Sequence, residues 1–227
     1  MYSNVNKAQC MVIFMWGAVQ ELFNVLKAYT IQNPKIGYCQ AQAPVAAFLL
    51  MHMPAEQAFW CLISVSDKYL ENYYSPSVEV IQRDALILQG LLKKVCRPAY
   101  KHLKKVGAEP MMYCTEWFLC AFTRTLPWDT LLRVWDVFLC GGVKILFKTA
   151  LVIIIGCLGS AKSRREAPGL CETLNVLRNP PEHILDEENL IINVSRLALN
   201  EKDFASEHQA QTLKMKAEKN SNGASRR

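Results

Sequence analysis

The sequence predicts an all-α protein, because apolar residues recur at helical spacing along most of the chain and strand signals are missing. The first apolar set repeats at intervals of three and four residues: Leu22, Phe23, Leu26 and Tyr29. No stretch alternates polar and apolar residues around a hairpin turn. Of the 227 residues, 51% are hydrophobic and 20% charged, which is enough for a buried core and excludes intrinsic disorder for most of the chain. No run of about 18 apolar residues occurs, so no transmembrane helix is expected.

Each further helix is predicted from a capping or breaking residue and an apolar face. Pro54 and the Ser75-Pro76 pair are typical helix starts, and Gly107 and Gly141-Gly142 are typical ends. The segment 144–158 is apolar nearly all round, which predicts a central buried helix. The other predicted helices are the basic segment 97–106, then 115–125, one opened by Pro127, 170–178 and 184–199.

The net charge of +6 is concentrated in the middle of the chain. Residues 91–165 hold 13 Lys/Arg and 4 Asp/Glu, and the strip 93–105 is the densest part. Such a strip predicts either peripheral contact with an acidic membrane or a solvated helix face. Nucleic acid is not expected as a partner, because Tyr100 is the only aromatic residue within the strip.

Cysteine and histidine usage argues against secretion and against metal chemistry. The nine cysteines form no C-x-x-C pair and mostly have apolar neighbours, which favours free thiols and a cytoplasmic location. The strip 93–105 adds peripheral attachment to membranes as an expectation. The four histidines are far apart in the sequence. We expect no metal and no cofactor, since neither zinc spacing nor a nucleotide-binding glycine motif is present.

One polar loop, residues 33–44, lies between apolar helices and offers a candidate functional residue. Pro34 and Gly37 end the preceding helix and Pro44 permits the next one, so Gln40 is expected on a turn at a helix start. A neutral carboxamide there can donate and accept hydrogen bonds, which suits orienting a water molecule. The alternative is a glutamine that is merely solvated.

A second polar pair lies in the segment 131–136. Arg133 and Asp136 are three residues apart on a predicted helix and are therefore expected to pair across one turn. The neighbouring leucines and Trp135 would partly bury that pair, which predicts a structural clamp.

These segments resemble the TBC domain of Rab GTPase-activating proteins, most closely the carabin-type subgroup. The resemblance covers about residues 20 to 195 and rests on five stretches in the family's order: LKAYT (26–30), GYCQAQAP (37–44), TEWF (115–118), RTLP (124–127) and RVWD (133–136). It implies a multi-helix TBC domain at 20–199, preceded by an atypical apolar segment, 1–19, and followed by a polar helical or disordered tail, 200–227.

The resemblance also implies roles for particular residues. TBC proteins accelerate GTP hydrolysis by a bound Rab through a glutamine finger and an arginine finger, and so regulate vesicle trafficking without a cofactor. Tyr38, Cys39 and Gln40 match the Tyr-x-Gln motif, whose glutamine orients the attacking water. Arg133, Trp135 and Asp136 match the motif that chiefly supports the fold.

The matching arginine motif should precede Tyr38, but the first arginine of this chain is Arg83. We therefore expect a TBC domain that lacks its first helices and its arginine finger. The implied function is activation of a Rab-type GTPase through Gln40. The alternatives are a catalytically inactive Rab-binding or scaffold module, and a helical adaptor that binds acidic lipid through the strip 93–105.

Overall fold

The computed structural model describes the backbone of residues 3–224 and the side chains of residues 17–217. The described residues are all-α, with no strand, which confirms the predicted fold class. The α-helices are α1 Ser3–Gln32, α2 Gln42–Leu50, α3 Ala55–Ser64, α4 Glu79–Val95, α5 Arg97–Val106, α6 Met111–Leu119, α7 Trp128–Gly141, α8 Lys144–Leu158, α9 Ala161–Glu166, α10 Leu170–Arg178, α11 Glu182–Leu185, α12 Glu187–Arg196 and α13 Glu201–Ala224. A π-helical turn, Val65–Tyr69, follows α3. None of the described helices combines the length and apolar composition needed to cross a bilayer.

The first of two compact units, Met1–Pro76, is built from α1, α2 and α3, which pack against one another. Val25 and Tyr29, four residues apart on α1, contribute the buried stripe of that helix. The prediction that Phe23 shares this face is wrong, since its side chain is 56% exposed. Two residues along a helix turn the side chain by about 200°, so Phe23 points away from Val25.

The second unit, Ser77–Arg227, is organised around α8. This helix packs against α4 to α7 and α9 to α12. Its buried residues occupy almost every direction around the axis, including Leu146, Ala150, Ile153 and Leu158. The prediction of a central helix from its apolar composition is confirmed, because a helix without a polar face needs neighbours on all sides.

The helix predicted over 115–125 ends earlier than expected. Helix α6 stops at Leu119, and Ala121 and Phe122 adopt left-handed backbone angles, with φ of 44° and 63°. The Phe122 N–H donates to the Trp117 carbonyl at 2.9 Å, which closes the end of the helix. The sequence gives no warning of this turn, because neither an alanine nor a phenylalanine is a helix breaker.

Two other predicted helices also have different limits. The helix expected from Ser75-Pro76 begins at Glu79. The segment 184–199 is divided into α11 and α12 at Asp186, whose side chain accepts a hydrogen bond from the Asn189 N–H at 2.9 Å. This is N-cap geometry, and it starts a new helix where the pattern predicted a continuous one.

Helix α13 packs along α4 within the second unit. Phe204 is buried, and its ring meets Phe147 of α8 edge-to-face at 5.9 Å between centroids. Ion pairs join Lys94 to Asp203 and Lys144 to Glu201. The first turn of α13 therefore contributes one buried aromatic side chain and two ion pairs to the second unit.

Candidate functional site

The segment that carries the Tyr-x-Gln motif is a tight turn between α1 and α2. The Asn33 carbonyl accepts hydrogen bonds from Ile36 N–H at 3.1 Å and from Gly37 N–H at 2.9 Å. Gly37 has a φ of 69°, a left-handed conformation that glycine adopts without steric cost. The turn leaves Tyr38 57% exposed and Gln40 exposed.

The turn is fixed from inside by Gln42, which is fully buried. Its side-chain oxygen Oε1 accepts a hydrogen bond from the Cys39 N–H at 3.1 Å. The Gln42 N–H in turn donates to the Cys39 carbonyl at 2.9 Å. These two bonds close a turn over Cys39–Gln42 and so fix the direction in which the chain enters α2. Gln40 lies between the two bonded residues, so its backbone is held while its side chain points to solvent.

A small polar pocket of about 270 Å³ opens in the same unit and is lined by Tyr29, Ser66 and Asp67. The hydroxyl of Tyr29 and Nε2 of Gln42 are buried and have no hydrogen-bond partner among the described residues. Burial has the largest effect and raises the pKa of the Tyr29 hydroxyl, while the nearby side chain of Ser66 partly offsets this and the charge of Asp67 adds to it. The hydroxyl therefore stays protonated and is available as a hydrogen-bond donor.

The second motif lies on α7, where Val134 and Trp135 are buried and the two charged residues are exposed. Trp135 is 3% exposed, and its Nε1–H donates to the Ala121 carbonyl at 3.1 Å. This bond holds the left-handed turn that ends α6. Trp135 thus supports the fold by satisfying a buried backbone acceptor.

The predicted ion pair between Arg133 and Asp136 is not formed. Both side chains are exposed, and no ion pair joins them among the side chains described. The buried stripe of α7 is centred on Leu131 and Trp135. With about 100° per residue, Arg133 and Asp136 lie roughly 140–200° from Leu131, on the solvent side. The two charges are therefore free to meet a partner and do not act as a buried clamp.

The site residues fall in two separate units. Tyr38, Cys39 and Gln40 belong to the first unit, and Arg133, Trp135 and Asp136 to the second. The first unit contains no arginine in its sequence. Within residues 17–217, no group of three or more His, Cys, Asp or Glu side chains is arranged to hold a metal ion.

Sequence reasoning missed Gln42 as a functional residue. A weak signal was present, because a glutamine just before an apolar run can bond back to a backbone N–H three residues earlier. Its complete burial next to an exposed candidate residue became evident only from the folded chain.

The fold and the turn define a helical domain of the TBC class, and comparison with known proteins agrees. The model of the Rab-GTPase-TBC domain matches residues 17–159. The chain therefore belongs to the RabGAP-TBC family.

Individual relatives place it near the carabin-type members. It is 60% identical over 199 residues to TBC1 domain family member whacked of Drosophila melanogaster, covering 88% of this chain and 55% of that protein. It is 46% identical over 196 residues to Carabin of Mus musculus, covering 86% and 44%. The crystal structure of the Chlamydomonas flagellar RabGAP TBC domain superposes with a TM-score of 0.62 at 24% identity, over 77% of this chain and 58% of that one. The chain thus spans about half the length of the relatives it matches, and the last likeness concerns the fold alone.

Proposed function

We propose that this chain stimulates GTP hydrolysis by a Rab-type small GTPase and that Gln40 orients the attacking water. The proposal is supported chiefly by the turn geometry: Gln40 is exposed while the Cys39–Gln42 hydrogen bonds fix its backbone. An amide held in this way can accept a hydrogen bond from water and donate one to a phosphate oxygen. Holding the water in line reduces the entropic part of the barrier.

The chain has no arginine before Arg83, so none precedes Tyr38. An arginine finger supplies about 10³ to 10⁵ in rate, which corresponds to about 4–7 kcal/mol of transition-state stabilisation. A neutral amide cannot replace that charge. With Gln40 alone, we expect acceleration of roughly 10- to 100-fold over intrinsic hydrolysis.

The test is single-turnover GTP hydrolysis by a panel of purified Rabs with the full chain and two variants. Gln40→Ala removes the proposed water-orienting amide. Gln57→Ala removes another exposed glutamine, on α3 in the same unit, and serves as the matched control. We expect acceleration by the parent chain and by Gln57→Ala, and none by Gln40→Ala. Equal acceleration by all three chains would contradict the assignment of Gln40.

The second candidate is a Rab-binding or scaffold module without catalytic activity, and the lack of arginine among residues 1–82 favours it. It predicts that GTP-loaded Rab binds the chain and the Gln40→Ala variant with similar affinity, and that neither affects hydrolysis. Binding is measured by calorimetry with chains whose helicity is verified by circular dichroism. If no Rab of the panel either binds or responds to the folded chain, both candidate functions are wrong.

A further inference from the structure

An open groove of about 600 Å³ lies between α5 and α9, within the second unit. We call it the α5–α9 groove. Two basic clusters about sixty residues apart in the sequence meet there. The groove is lined by five cationic side chains and one histidine: Arg97, Lys101, Lys105, Arg164, Arg165 and His102.

The helical spacing on α5 explains one wall of the groove. Arg97, Lys101 and Lys105 occur at intervals of four residues, which places them on one face of the helix. Lys94, by contrast, lies on α4 and pairs with Asp203. The strip 93–105 is therefore not a single continuous surface, and only its α5 part lines the groove.

The opposite wall holds two ordered arginines. Nη1 of Arg164 donates to the carbonyls of Leu158 at 2.8 Å and Gly159 at 2.6 Å. Nε of Arg165 donates to the Ala161 carbonyl at 3.2 Å. These bonds hold part of each guanidinium in place before any ligand arrives, which lowers the entropic penalty of binding. The remaining N–H groups can still bind an anion in the forked geometry that suits phosphate.

In the described part of the chain, no carboxylate pairs with any of the five cations. The neighbouring Lys162, by contrast, contacts Glu166 at 3.9 Å. The pKa of His102 is lowered by burial and, to a smaller degree, by the charges of Arg164 and Lys105. The local potential is therefore positive, and the groove is suited to a compact ligand with several negative charges.

We propose that the α5–α9 groove binds the headgroup of a membrane lipid that bears two or more phosphates. Five cations around one concavity exceed what a single phosphate needs, and the open shape admits a headgroup still attached to a bilayer. Apart from the five cations and His102, the groove is lined by Pro98 and Ala161, which are too small to bury a peptide side chain. The groove contains no residue of the Tyr-x-Gln turn, so this binding is independent of Gln40.

The test is sedimentation of the full chain with phosphatidylcholine vesicles that contain either phosphatidylinositol bisphosphate or phosphatidylserine, matched in total negative charge. One triple variant removes Lys101, Lys105 and Arg165 of the groove by alanine substitution. The matched control removes three exposed lysines of α13 in the same way: Lys202, Lys214 and Lys216. Both variants lose three positive charges, and Arg164 is left intact because it also bonds the end of α8.

We expect stronger binding to the bisphosphate vesicles, weakened roughly 100-fold by the groove variant and far less by the control. A soluble inositol polyphosphate should displace the vesicles, while inorganic phosphate at equal charge should not. Equal losses in both variants, or equal binding to both vesicle types, would overturn the proposal. If the soluble inositol polyphosphate binds but the vesicles do not, the ligand is not a membrane lipid and the proposal is wrong. Tighter binding of a doubly phosphorylated peptide would instead assign the groove to a protein partner. Thermal unfolding verifies that both variants are folded.

Discussion

Replacing Trp135 with phenylalanine isolates the hydrogen bond that holds the turn after α6. The substitution removes the Nε1–H that donates to the Ala121 carbonyl at 3.1 Å, in a region where both residues are buried. Depriving a buried carbonyl of its donor costs about 1–3 kcal/mol. The smaller ring also buries less apolar surface, which adds about 1 kcal/mol. The expected loss in the free energy of unfolding is therefore about 2–4 kcal/mol.

The assay is equilibrium unfolding in urea followed by circular dichroism, because tryptophan fluorescence itself changes with the substitution. For a slope of about 2 kcal/mol per molar urea, the midpoint should fall by about 1–2 M. Trp128→Phe is the matched control, since Trp128 begins the same helix and is 40% exposed. Its loss should stay below about 1 kcal/mol. Similar midpoints for Trp135→Phe and the parent chain would refute the idea that the indole stabilises this turn.

Three further substitutions test the packing, the backbone and the pH response. Phe204→Ala should lower the free energy of unfolding of the second unit by about 2–4 kcal/mol and speed proteolysis of α13. Leu213→Ala, at a 60% exposed site of the same helix, is the control and should change neither the free energy of unfolding nor the rate of proteolysis. Gly107→Ala should lower the free energy of unfolding by about 1 kcal/mol, because φ is 75° at this residue. Gly17→Ala should raise it by about 0.5–1 kcal/mol, because Gly17 lies within α1 and an added methyl group meets no other atom. Urea titrations measure both changes. Burial and two nearby cations lower the pKa of His102, so the unfolded chain binds its proton more readily. Thermal stability should therefore fall as the pH drops below about 6.5, and His102→Gln should reduce that fall; an identical pH profile for the variant would contradict it.

Local signals predicted the fold class, the central helix and the exposed turn. Helix α8 was predictable because its apolar residues leave no face for water. Gln40 was placed on a turn because Gly37 and the flanking prolines interrupt the helical pattern. These inferences need only residue types and their spacing over about one or two helical turns.

The features that sequence did not predict depend on contacts between distant segments. The end of α6 at Leu119 is stabilised by the indole of Trp135, sixteen residues later. Arg133 points outward because the opposite face of α7 is buried. The three-residue spacing between Arg133 and Asp136 shows that they could pair, but not which face of the helix is buried. The α5–α9 groove joins two basic clusters that no local pattern relates.

Because Gln42 is buried and Gln40 is exposed, the two positions tolerate substitution differently during evolution. Gln42 is buried and bonded to Cys39, so most replacements there disturb the fold as well as the turn. Gln40 faces solvent, and its replacement leaves every described contact of the core intact. If the proposed function holds, a single-nucleotide change in the Gln40 codon would therefore remove the water-orienting amide and leave the fold intact. Such a change would leave the stability of the fold unchanged, and with it the abundance of the protein. Selection for stability alone would therefore not act on the residue at position 40.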